Sequence, residues 1–337
     1  LFDIINKEKC YNVFLFHCNY NFQINSNLAE SFCRKLAKNN SCNIDVKKIN
    51  ISEKNFEANA RKIRYEEAYN IADKYSIDII LTAHHQDDQL ETLYMKDENR
   101  SDWISNIGIR DVYGKLRRPM LNIPKKDILL YAKNNSLKWV EDLSNNDVKI
   151  YRNYIRKKII PDLKRNQPDY IDNLYSSRLK NKIKYDELKD RFLNNKKEYI
   201  VSYDSNYMNI RNTIIEFNDL SEFKLYYQFV IKTFLKFEIK KSKSYWSSLY
   251  KFIKSSVSGS KFILNANYLI LNDRDSHFIC ENNYFESSLN NKEKIKLDLN
   301  LTKIYWFDHL FSIKSVMKDY KSVLIFPHKL IKEGLYL

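Results

Sequence analysis

Glycine is almost missing from this chain: there are 4 in 337 residues, and none lies near the start. That excludes from the opening residues a glycine-rich loop whose bare backbone N–H groups could cradle a phosphate. The 5 cysteines (Cys10, Cys18, Cys33, Cys42 and Cys280) are scattered, with no CxxC pair and no zinc-like grouping. They read as small apolar side chains in a reducing cytoplasm rather than as a disulfide framework. No apolar run approaches the length of a membrane span, and no charged-then-apolar leader opens the sequence.

Basic charge and aromatic rings are what the chain does have. Lys and Arg number 57 against 42 Asp and Glu, a net charge of +15. Such an excess draws polyanions by steering and counterion release, although AT-rich coding accounts for part of the lysine. The 25 Tyr and 19 Phe are mostly core, with some available to stack on unpaired bases. The length is enough for two or three domains.

The first half alternates strand-like and helix-like patterns. Val13–Phe16, Ile44–Ile51 and Ile77–Leu81 read as strands. Asn27–Lys38 reads as a helix, as does the stretch capped by Asn55 in which Phe56, Ala60, Ile63, Ala68, Ile71, Ala72 and Tyr75 keep helical spacing. Pro124 opens another helix. This alternation predicts a doubly wound parallel sheet. Polar residues crowd just past the third strand, in Leu81-Thr82-Ala83-His84-His85-Gln86-Asp87-Asp88-Gln89-Leu90-Glu91-Thr92. In open α/β sheets ligands sit beyond the carboxyl ends of the strands.

That string resembles the signature of the tRNA(Ile)-lysidine synthetases, a family of ATP-pyrophosphatase type, and further landmarks follow the family order. Asn55-Phe56-Glu57-Ala58-Asn59-Ala60-Arg61-Lys62-Ile63-Arg64-Tyr65 is similar to the EAxARxxRY helix, and Arg117-Arg118-Pro119-Met120 to RPLL. Trp139-Val140-Glu141-Asp142-Leu143-Ser144-Asn145 is similar to WxEDxSN, and Arg152-Asn153-Tyr154-Ile155-Arg156 with Pro161 to RNxIR…P. His17-Cys18-Asn19-Tyr20 resembles the family's HxNH segment. The SGGxDS loop with which members begin does not occur. With Leu1 in place of methionine, this leads to the expectation of an N-terminally truncated and inactive fragment. The stretch Asp97–Gly114 departs from the family's Arg-Gly-x-Gly-like turn.

The resemblance implies an adenine nucleotide alpha hydrolase-like catalytic domain over 1–165 and a basic helical connector over 166–200. A small mixed α/β domain that binds tRNA would follow over 201–285, with a short β unit over 295–337. It implies ATP and Mg²⁺ as cofactors. Its substrates would be L-lysine and a tRNA(Ile) with a CAU anticodon, whose wobble cytidine is adenylated at C2 and then attacked by the lysine amine. Asp87, Asp88, His85 and Arg64 become the catalytic candidates, with Asp88 also the Mg²⁺ ligand. His17 and Asn19 fall on the adenosine side. Arg118, Glu141, Asp142, Asn145, Arg152, Asn153 and Arg156 are the substrate contacts, the acids toward lysine or cytidine and the arginines toward tRNA phosphate or loop ordering. No stable protein partner is implied, although a homodimer is compatible with the sequence. Two alternatives stay open: another ATP-pyrophosphatase that thiolates or amidates tRNA, and a catalytically dead tRNA-binding protein.

Overall fold

The structure, a computed structural model, describes residues 1–283 except 22–24, 50–55, 143–144, 146, 196–198, 204–206, 212–216, 240, 256 and 274–275, together with 303–306 and 309–312. The expected cap Asn55 therefore lies outside the described residues, as do Leu143 and Ser144. The chain divides into two compact units, Leu1–Lys184 and Tyr185–Leu337.

The first unit opens with α1 (Phe2–Glu8) and a β-α-β turn of chain: β1 (Phe14–Asn19), α2 (Ser26–Asn39) and β2 (Asn43–Lys48). β1 and β2 pair in parallel, with Phe14 opposite Asn43 and Asn19 opposite Lys48. The long helix α3 (Phe56–Lys74) then leads to β3 (Ile80–Leu81) and α4 (Gln86–Glu98). After a 3₁₀ turn (Ser105–Ile107) come β4 (Val112–Tyr113) and β5 (Leu116–Arg117). β5 lies parallel to β3 and antiparallel to β4. β3 is shorter than Ile77–Leu81 because Ile77 is taken up by the end of α3. Its N–H donates to Ala72 O at 2.7 Å, and its carbonyl accepts from Lys115 Nζ at 3.1 Å.

The remaining helices of this unit are α5 (Lys125–Asn134), α6 (Tyr151–Tyr154), a π-helical turn (Ile155–Ile159), α7 (Ile160–Asn166) and α8 (Pro168–Asn194), which runs on into the second unit. Pro124 caps α5 with φ −60, so its missing N–H falls where no helical partner exists. One core cluster fixes α4. Leu90 and Leu93 are buried with Ile155, Ile160, Leu163 and Leu174, and Tyr94 and Met95 pack at its margin. Each buried leucine contributes about 1.5–3 kcal/mol, enough to lock the helix that carries the signature residues.

The second unit has a five-stranded antiparallel sheet in the order β6-β7-β10-β9-β8. Its strands are β6 (Ile200–Tyr203), β7 (Tyr207–Arg211), β8 (Lys261–Ile263), β9 (Tyr268–Asn272) and β10 (Ser276–Glu281). Met208 and Ile210 alternate inward on β7, as the period-2 pleat requires. The helices are α9 (Leu220–Val230), continued by a π turn, and α10 (Lys243–Ser255). α9 buries Phe223, Tyr226, Tyr227 and Val230, while α10 buries Trp246 and Leu249. Within the span expected as a terminal β unit, β11 (Lys303–Trp306) and β12 (His309–Ser312) pair antiparallel. No helix among the described residues is long and apolar enough to cross a membrane.

Candidate active site

The first turn of α4 is held by a reciprocal cap. The His85 N–H donates to Asp88 Oδ2 at 3.0 Å, and the Asp88 N–H donates to His85 Nδ1 at 3.4 Å. His85 fills the place that serine or threonine usually takes in such a box, and Asp88 that of glutamate. The neighbouring Asp87 points elsewhere. Its carboxylate accepts from the Lys125 N–H and from Lys164 Nζ, both at 2.9 Å. Burial pushes its pKa up, but those two partners and the Lys164 charge outweigh it and leave the carboxyl below the ordinary value.

Asp88 and Glu91 sit three residues apart on one face of α4 and meet two arginines four residues apart on the α6–π run. Glu91 is 1% exposed. It accepts from Arg152 Nε at 2.8 Å, from Arg156 Nε at 2.6 Å and from Arg156 Nη2 at 3.0 Å. Asp88 Oδ1 faces the same guanidinium groups at longer range, 3.4 Å from Arg156 and 3.6 Å from Arg152. Arg156 also reaches Asn145 Oδ1 at 3.4 Å. Two carboxylates and two guanidiniums thus balance their charges in a half-buried cluster, with Glu91 bound tightly and Asp88 loosely.

Gln89, on the buried face, pins the loop that follows α4. Its amide donates to Ile107 O at 3.0 Å and accepts from the Ile109 N–H at 2.8 Å. Gly108 between them has φ +72, and a Cβ there would stand 2.5 Å from Gln89 Nε2. Only glycine combines that backbone with that approach. The departure from the family pattern over 97–114 therefore still yields a loop anchored to α4.

A second polar group lies at the ends of β3 and β5. His84 Nδ1 is 2.8 Å from Thr82 Oγ1, and burial, followed by the nearby Arg118 charge, lowers its pKa to about 4. Arg118 is 7% exposed. Its Nη1 donates to Arg110 O at 2.6 Å and its Nη2 to Tyr65 Oη at 3.3 Å, while its Nε is buried without a partner among the described residues. Arg61 lies over the Tyr65 ring at 5.8 Å.

The other candidates fall outside these groups. Arg64 is exposed, and its charge acts on Tyr20 and Cys18 at the end of β1. Asn19 is buried and saturated: its amide donates to Glu30 Oε2 at 2.8 Å and Asn27 Oδ1 at 3.1 Å, and its oxygen accepts from the Asn21 N–H at 2.9 Å. His17 Nδ1 lies 3.7 Å from Cys33 Sγ, and burial lowers its pKa. Glu141 and Asp142 are exposed. Asn153 is buried and donates to Asp147 O at 3.0 Å. The structure brings the catalytic candidates Asp88 and His85 together with the substrate candidates Arg152, Arg156 and Asn145, and adds Glu91, which is not among the sequence candidates. The pairing of an i, i+3 acid pair with an i, i+4 arginine pair is the signal that would have shown it.

Parallel strands with polar groups collected at their carboxyl ends define a nucleotide-type α/β domain. Residues 1–163 match the family model of the PP-loop domain, and this half of the chain is such a domain, with an adenine nucleotide alpha hydrolase-like α/β fold. A tRNA(Ile)-lysidine synthase of Buchnera aphidicola subsp. Schizaphis graminum is 28% identical over 314 residues, 92% of this chain and 66% of its own length. That of Wigglesworthia glossinidia brevipalpis is 28% identical over 271 residues, 76% of this chain and 66% of its own. That of Staphylococcus epidermidis (strain ATCC 12228) is 33% identical over 160 residues, 44% and 37% respectively. The chain is thus similar to tRNA(Ile)-lysidine synthases along most of its length. It spans just under two thirds of the length of the first two relatives.

Proposed function

We propose that this chain acts in converting the wobble cytidine of a CAU-anticodon tRNA(Ile) to lysidine, with Asp88 as the carboxylate that receives the lysine substrate. The supporting observation is the unequal binding of the two acids. Glu91 holds both arginines at 2.6–3.0 Å, whereas Asp88 Oδ1 stands 3.4–3.6 Å from them and can exchange them for an incoming ammonium. ATP supplies the adenylyl group that activates the C2 oxygen. The lysine nitrogen then forms a bond to C2 as the C2–O bond to AMP breaks. Asp88 and His85 take up the proton that the ammonium must lose before it attacks. Arg152 and Arg156 hold Asp88 in position, and Asn145 steadies Arg156 from the preceding loop.

Among the described residues no three His, Cys, Asp or Glu side chains gather as a metal set. A Mg²⁺ ion would have Asp88 as its ligand from this turn and draw the rest of its shell from phosphate and water. Residues 166–285 serve in this reading as the tRNA-binding part. The overall charge of +15 supports that assignment, since phosphate contacts supply most of such affinity.

The test uses the chain with a family SGGxDS segment placed ahead of Leu1, incubated with ATP, labelled lysine and the tRNA. Label should enter the tRNA in step with AMP release. AMP release that requires a sulfur or ammonia donor instead would favour thiolation or amidation. Binding of tRNA with no AMP release would favour a dead binding protein.

A further inference from the structure

We propose that Trp103 and Asp111 are positioning residues, which fix the lysine-rich middle of α8 in place for RNA binding. The inference rests on the reading of residues 166–285 as the tRNA-binding part, and it gives a task to the loop over 97–114 that departs from the family pattern.

The need for such a fixture follows from where α8 has its apolar anchors. Its 27 residues extend about 40 Å at 1.5 Å per residue. The first turns are held on α4: Leu174 joins the Leu90 and Leu93 cluster, Tyr170 Oη donates to Asp97 Oδ2 at 2.6 Å, and Tyr175 Oη donates to Gln86 O at 3.2 Å. Further on, Leu188 and Phe192 are buried. Among the described residues of the helix, none between Leu174 and Leu188 is buried. That middle stretch carries Arg178, Lys180, Lys182 and Lys184, with no acid from Asn173 to Tyr185. Like charges one turn apart repel, and no buried side chain anchors them.

The loop supplies what packing does not. Lys184 Nζ lies 4.3 Å from the centre of the half-buried Trp103 ring, within cation–π range. Lys182 Nζ lies 3.9 Å from Asp111 Oδ2. Residues two apart on a helix point to different faces, so the two contacts grip α8 on separate flanks. Each is weak alone, the exposed ion pair especially. Their strength comes from a loop that is itself anchored. The Ser105 N–H donates to Asp102 Oδ1 at 2.8 Å beside Trp103, Gln89 pins Ile107 and Ile109, and the Arg118 N–H donates to Asp111 O at 2.9 Å. Partners already held in place lose little entropy when a lysine docks on them, so α8 is preorganised before RNA arrives.

The test titrates a CAU-anticodon tRNA(Ile) transcript into residues 1–337 by fluorescence anisotropy at several salt concentrations, with thermal melts to confirm folding. The variants are Trp103→Leu, Trp103→Phe, Asp111→Asn, Lys184→Gln and the double variant of Trp103→Leu with Lys184→Gln. Trp103→Leu should lower affinity about 2- to 5-fold with an unchanged salt slope, because no phosphate contact is lost. Trp103→Phe keeps an aromatic face and should restore most of the affinity. Asp111→Asn should also weaken binding, whereas general electrostatics would strengthen it once a negative charge is removed. In the Lys184→Gln background, Trp103→Leu should change nothing further, since the contact is already gone. An additional fall there would mean that Trp103 stacks on the RNA itself, and would overturn the positioning role. Unchanged affinity in Trp103→Leu, or tighter binding by Asp111→Asn, would overturn it as well. Absence of tRNA binding by the wild-type chain would instead sink the functional reading, and this role with it.

Discussion

Arg156 reaches across from the π-helical turn to place its Nε 2.6 Å from Oε1 of Glu91, a carboxylate that solvent barely touches. The Arg156 hydrogen bond to Glu91 raises the guanidinium pKa further, so the pair is permanently charged on the arginine side. This contact ties the helix after the WxEDxSN-like loop to the helix that carries the signature.

Glu91→Gln leaves both arginines without their tight partner in a half-buried place. Breaking such a pair from one side costs about 3–5 kcal/mol when fully buried. Here the arginine side chains retain 20% and 28% exposure, which moderates the loss. A fall of about 2–4 kcal/mol in unfolding free energy, read from the urea midpoint, is the expected result. A change under about 0.5 kcal/mol, the range of ordinary surface substitutions, would show that Glu91 is not the anchor.

Asp87 gives a prediction with a pH signature. Its folded pKa lies below the ordinary 3.8, because Lys164 and the Lys125 N–H outweigh burial. A depressed carboxylate pKa contributes stability above 3.8 that disappears as pH falls through the folded value. Asp87→Asn should therefore lower the melting temperature at pH 7, and the gap to wild type should close as pH drops below 3.8. A gap that stays constant across that window would mean the Lys164 contact contributes nothing.

His277 tests the second unit in the same way. It is fully buried, its Nε2 lies 2.6 Å from Tyr227 Oη, and burial lowers its pKa from 6.5 to about 3. Below pH 6.5 the unfolded chain takes up a proton that the folded unit refuses, so stability falls between 6.5 and 3. His277→Gln should flatten that part of the stability profile for the second unit. An unchanged acid slope would contradict the burial of a neutral imidazole.

Much of this was legible in the sequence, for identifiable reasons. The strands read at Val13–Phe16 and Ile44–Ile51 overlap β1 and β2, where Phe14, Phe16, Ile44 and Val46 supply the apolar residues of the parallel ladder. Pro124 and the spacing of Leu90 and Leu93 placed α5 and α4. The strand expected at Ile77–Leu81 overruns β3 by Ile77–Ile79, where Ile77 serves the close of α3 and the Lys115 contact rather than the ladder. In the site, residue type pointed to Asp88 and the two arginines. It did not tell which acid is buried, because Asp88 and Glu91 differ in environment only after α6 packs on α4. Nor could it reveal that Arg118 Nε is buried without a partner among the described residues, which depends on where Tyr65 and Arg110 fall.

Asp88→Asn most directly tests the role assigned to the α4 turn, measured as the initial rate of lysine incorporation into CAU-anticodon tRNA(Ile) by the chain carrying an SGGxDS segment, beside a thermal melt. Asparagine can still accept the His85 N–H, so the cap survives and the melt should shift by only a few degrees. Its neutral amide cannot receive an ammonium or its proton, so the rate should fall on the order of 10²-fold or more. A folded Asp88→Asn protein that incorporates lysine at close to the wild-type rate would contradict that role and leave Asp88 a capping residue.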